Sequence, residues 1–107
     1  MIITITAKTN CAAPYLNTLN IRTKDGSDIT IDRQRTEYTY DETKKEMTMD
    51  WVGVYIWDGE TENYDVPDDI FENVAHAEIE IEDDAPKSYT FVPESITANG
   101  IDLPVKH

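Results

Sequence analysis

Apolar and polar residues alternate along this chain with a period of two, in one short run after another. Ile3, Ile5 and Ala7 are interleaved with Thr4 and Thr6, and Ile29 and Ile31 stand between Asp28, Thr30 and Asp32. Ala77, Ile79 and Ile81 alternate with Glu78, Glu80 and Glu82. A period of two turns one face of a strand to a core and the other to water. The residue types agree: twelve Ile and six Val stand against three Leu, with thirteen Thr and six Tyr. β-Branched and aromatic side chains suit a pleated, half-buried surface. The 107 residues suit a single domain, 1–107, with a small core.

The turns place the strands. Lys24-Asp25-Gly26-Ser27 closes a first hairpin and Asp41 to Lys45 a second, and Asn99-Gly100 is a strong turn signal near the end of the chain. One long strand is expected from Glu46 to Trp57, with Met47, Met49, Trp51, Tyr55 and Trp57 on one face and Val52, Val54 and Ile56 on the other. Apolar residues on both faces predict the centre of the sheet or a strand covered by a helix, and Gly53 marks a candidate bulge or a close approach of backbone or ring. One short helix is predicted near 67–75, because Pro67 suits a first turn, Asp68, Asp69 and Glu72 favour the positive end of the dipole, and Ile70, Phe71 and Val74 form a stripe. The expectation is a mainly β (α+β) domain: an antiparallel sheet of six to eight strands built from hairpins, with that one helix.

Charge divides the chain in two. The net charge is −13, yet residues 1–57 hold eight acids and seven bases, and residues 58–107 hold fourteen acids against Lys87 and Lys106. From 58 to 84 the acids are Asp58, Glu60, Glu62, Asp65, Asp68, Asp69, Glu72, Glu78, Glu80, Glu82, Asp83 and Asp84, with no base among them. Crowding one sign costs stability through self-repulsion, and solubility alone needs less of it. A surface of this kind disfavours direct contact with nucleic acid or an anionic membrane and suits a basic partner. Same-face residues on a strand lie ~6.8 Å apart, close to the roughly 6–7 Å between successive phosphates of a nucleic-acid strand. The row Glu78, Glu80, Glu82 therefore fits Lys and Arg sites built for phosphates, although it equally fits the solvated face of an ordinary strand. Trp57 and Tyr64 border the acidic stretch as candidate aromatic anchors.

Other chemistries find little support. The spacing of Asp58, Glu60, Glu62, Asp65, Asp68 and Asp69 superficially resembles a calcium loop. Counted from Asp58, however, Asn63 stands where the loop needs its Gly and Asp69 where it needs its Glu, which leaves at most weak calcium binding at 58–69. His76 and Glu78 form an H-x-E pair without the P-C-x-x-C partner of zinc deaminases. Cys11 is the only cysteine, so no intrachain disulfide forms, in keeping with a reducing compartment. No catalytic residue, metal site or cofactor is assigned, and an enzyme is not expected. The first residues, Met1 to Lys8, read as a strand and not as a signal peptide.

In size, charge and strand-rich composition the chain resembles phage-encoded DNA mimics, anti-restriction proteins and anti-CRISPR proteins. No motif carries the resemblance, so no residues are transferred. It implies a non-enzymatic inhibitor, acting in the cytoplasm of a bacterial host, that blocks a basic nucleic-acid-binding protein such as a restriction nuclease or a CRISPR effector of the Cas9 type. The partner-binding residues would be the twelve acids with Trp57 and Tyr64. The alternative is a small structural or assembly β-domain of a phage or mobile element, with a homodimer as one form.

Overall fold

A computed structural model describes residues 2–32, 35–52, 55–57, 64–65 and 68–106. Among these residues ten strands form two antiparallel five-stranded sheets packed face to face. The first sheet has the order β10-β9-β1-β5-β4 and the second β7-β6-β3-β2-β8. The first comprises β1 (Ile2–Thr9), β4 (Arg35–Asp41), β5 (Glu46–Val52), β9 (Phe91–Ala98) and β10 (Ile101–Leu103). The second comprises β2 (Leu16–Thr23), β3 (Asp28–Asp32), β6 (Tyr55–Trp57), β7 (Tyr64–Asp65) and β8 (Val74–Ile81).

The alternation is realised as read. On β1, Ile3, Ile5 and Ala7 are fully buried. On the solvent side of the same sheet, Thr4 donates its hydroxyl hydrogen bond to Asp50 at 2.8 Å and Lys8 pairs with Glu46 at 3.4 Å, each directly opposite its partner in the β1–β5 register. The core is one cluster drawn from both sheets. It includes Ile5, Met49, Trp51 and Ile96 from the first and Leu19, Ile21, Ile31 and Ala77 from the second, the arrangement of a sandwich.

The strand expected over 46–57 is two strands in two sheets. β5 ends at Val52 and is flanked by β1 and β4, with β1 at the centre. β6 joins the other sheet, where Ile56 stands opposite Ile31 in register. Trp51 and Ile56 are an odd number of residues apart and would face opposite ways on one strand. Changing sheets places Ile56 in register with a core residue of the other sheet. Gly53, the candidate bulge, lies outside the described residues. β2 carries a related adjustment: its register against β8 shifts between Leu16 and Thr18, so that Leu16, Leu19 and Ile21 are all buried despite their uneven spacing.

The helix is a 3₁₀ helix over Asp68–Asn73 and not an α-helix. Val74, read as part of its stripe, is the first residue of β8. Six residues give too few bonds to sustain an α-helix, and the end is pinned where Lys24 N–H donates to Asn73 O at 2.8 Å. Phe71 and Val74 are buried as expected, three residues apart, a spacing that a 3₁₀ turn also aligns.

Both expected hairpins form, and the Asn99-Gly100 turn closes a third. In the first, Gly26 has φ +92°, and the Asp25 carboxylate accepts hydrogen bonds from the Thr23 hydroxyl and the Ser27 amide. These hold its pKa below the usual aspartate value. In the third, Asn99 and Gly100 have φ of 49° and 81° between the paired Ala98 and Ile101, which identifies a primed turn. A Cβ at Gly100 would meet nothing within 4 Å, so Gly100→Ala costs only the left-handed backbone, about 1 kcal/mol. Urea unfolding checks this, and a loss well above that figure would mean that the turn has a packing role.

Candidate functional site

The acidic residues that the structure describes are divided between the two edges of the second sheet and the helix that precedes β8. β8 is one edge, and β6 and β7 lie at the other, with β2 and β3 between. Trp57, Tyr64 and Asp65 belong to the β6–β7 edge by their backbone positions, and Asp68 opens the 3₁₀ helix. Asp58, Glu60 and Glu62 lie outside the described residues, as does most of the stretch considered for calcium. On the helix, Asp69 and Glu72 are exposed.

β8 carries the most ordered part of the set. Ala77 is buried and Ile79 and Ile81 pack against the core. Strict alternation then places Glu78 and Glu80 on the outer face, and both are exposed. Glu82 follows the strand half-buried, its N–H bonded to Tyr15 O at 2.9 Å. Asp83 and Asp84 are exposed in the turn beyond it. Five acids thus run along one edge and its end.

Long-range pairing tempers the row at two points. Lys106, twenty-eight residues further on, places its Nζ 3.6 Å from Glu78 Oε2. Glu80 Oε2 accepts from the Thr18 hydroxyl at 2.8 Å, and this satisfies a buried polar side chain. Arg22, opposite His76 in register, is engaged elsewhere: its guanidinium grips Asp28 through Nε at 2.6 Å and through Nη2 at 3.1 Å. Among the described residues no basic side chain forms an ion pair with Glu80.

Aromatic rings border the acidic turn, at residues other than Trp57 and Tyr64. Tyr15 and Tyr89 meet edge to face with centroids 5.1 Å apart, and Tyr89 stacks on Phe91 at 6.3 Å. Burial pushes the Tyr89 hydroxyl pKa up. Tyr89 and Phe91 are two residues apart, but Tyr15 is far from both in sequence, and no local signal placed it beside them.

Below the outer edge of β8 lies a groove of about 300 Å³, lined by Ile79, Ile81, Phe91, Val92, Pro93 and Lys106 among others. The alternation marked Ile79 and Ile81 as inward-facing; that they border an open edge depends on strand order. Among the described residues no group of three or more His, Cys, Asp and Glu side chains is arranged to hold a metal ion, and no helix is long and apolar enough to cross a membrane. Cys11 is a free, half-buried thiol in the loop after β1. No protein-family model, curated protein or solved structure matches this chain.

Proposed function

We propose that this protein is a non-enzymatic inhibitor that offers carboxylates to a basic nucleic-acid-binding effector in place of a phosphate backbone. The observation that carries the reading is the outer face of β8. There Glu78 and Glu80 are held in fixed alternation on a hydrogen-bonded strand and run on into Glu82, Asp83 and Asp84. A strand fixes its side chains at ~6.8 Å intervals, so little entropy is lost when they meet a row of cations. Arginine is the natural counterpart, since its fork takes a carboxylate through two hydrogen bonds. A restriction nuclease or CRISPR effector, with a positive channel for nucleic acid, is the class of partner that fits.

Capture from a bacterial lysate at low salt, followed by a salt gradient, tests the reading. The expected result is a nuclease or DNA-binding protein that leaves only at high salt and that added duplex DNA displaces. Long-range attraction makes such complexes form fast and fade with salt. Recovery of only further copies of the chain, with no response to DNA, would favour a structural or assembly domain instead.

A further inference from the structure

The seam between the two sheets is closed at one end of β8 and open at the other. At the closed end Ala77 N–H donates to Pro104 O at 2.7 Å and Lys106 N–H donates to Ala77 O at 2.9 Å, with Ala77 and Val105 forming a parallel bridge. Ala77 therefore points its backbone groups away from β2. Residues two apart on a strand point the same way, so the N–H and C=O groups of Ile79 and Ile81 face this edge too. β8 is the last strand of its sheet, and the described pairing stops at Lys106.

The groove under this edge has one wall that can pair and one that cannot. On the β9 side, Pro93 has no N–H to offer, and the β1–β9 register shifts between the Pro93 and Ser95 pairs. Both features blunt a strand edge. The Ile79–Ile81 segment of β8 has no proline, and the extra residue at the register shift beside it, Asn17, lies on β2, so β8 itself runs on there without an inserted residue. The groove also exposes apolar surface: Val92 is 51% exposed.

We propose that the open edge of β8 receives an extended segment of a basic partner, added as a further strand of the second sheet. Its inward side chains are apolar and enter the groove beside Ile79, Ile81 and Val92. Its outward side chains are Lys or Arg, set beside Glu78 and Glu80. The chain's own residues 105 and 106 already follow this pattern: Val105 packs against the core and Lys106 pairs with Glu78. Strand addition combines main-chain hydrogen bonds with alternating side-chain pockets, and opposite charges across neighbouring strands stabilise the pair. A second copy of this chain fits poorly, because two β8 edges would bring Glu78 and Glu80 of each copy together. The proposal deepens the reading of a basic partner and rests on it.

The test titrates the isotope-labelled full chain with a blocked octapeptide of alternating Lys and Val, following amide shifts and hydrogen exchange. The expected result is slowed exchange at the Ile79 and Ile81 N–H groups. An equally charged peptide with N-methyl groups on alternate residues should bind about tenfold more weakly or worse, having lost its main-chain donors. Val92→Lys, at an exposed position, should weaken the unmethylated peptide by a similar factor. Equal binding of the two peptides would overturn strand addition and leave the charge-based reading standing. Failure of the Lys–Val peptide to bind, while salt- and DNA-sensitive capture of a basic protein persists, would overturn it likewise. Protection at Ile79 and Ile81 that grows with protein concentration alone would assign the edge to a second copy and reject the proposal.

Discussion

Trp51→Ala is expected to cost about 3–5 kcal/mol, a large part of the roughly 5–15 kcal/mol that holds a domain of this kind together. Trp51 is fully buried on β5, where it stands between Ile3 of β1 and Thr36 of β4 in register. Its ring belongs to the single cluster that joins the two sheets, so the void left by alanine would open between them. The indole contributes through volume and not through its donor: Trp51 Nε1 is buried with no hydrogen-bond partner among the described residues. An unpaired buried donor carries a penalty of about 1–3 kcal/mol, and phenylalanine removes that donor while keeping most of the bulk. Trp51→Phe should therefore lose far less stability than Trp51→Ala, about 1 kcal/mol. Urea unfolding followed by far-ultraviolet circular dichroism measures both without relying on the missing indole. Equal losses in the two variants would mean that the donor is satisfied in solution and that volume is not what Trp51 supplies.

The elements legible in the sequence are those fixed locally. Side-chain alternation marks β1, β3 and β8 because burial on one face of a strand is a two-residue property. The turns at Gly26 and Asn99-Gly100 are legible because positive φ is a one-residue property. What escaped depends on distant partners. The chain's passage from one sheet to the other between Val52 and Tyr55 leaves only an uneven spacing of apolar residues, which an uninterrupted central strand also produces. The six-residue helix carries α-helical signals, but its type is decided by its short length and by the bond from Lys24 that pins its end. The acidic row was legible as a pattern on a strand. Its position at a sheet edge, its ion pair with Lys106 and its separation from the β6–β7 edge follow from strand order, which no local pattern encodes.

Glu78→Lys with Glu80→Lys should weaken binding to the proposed basic partner by about a hundredfold or more at low salt, chiefly through slower association. Each substitution moves the charge by two, so the pair shifts the chain by four from its net −13 and places the change on the face proposed to meet the partner. Both positions are exposed, so the core is untouched, but Glu80→Lys also removes the acceptor of the buried Thr18 hydroxyl. Glu78→Gln with Glu80→Gln separates the two effects, because the amide oxygen still accepts from Thr18 while the charge is gone. The glutamine pair should fold as the parent does and bind about tenfold more weakly, with a shallower dependence on salt. Glu82 is left unchanged, since it is half-buried and its backbone is tied to Tyr15. The measurement is association and dissociation at several ionic strengths against the captured protein. If both pairs bind like the parent with the same salt slope, the β8 face does not meet the partner. The β6–β7 edge, with Trp57, Tyr64 and Asp65, then becomes the surface to alter, because the intervening strands β2 and β3 keep it apart from Glu78 and Glu80.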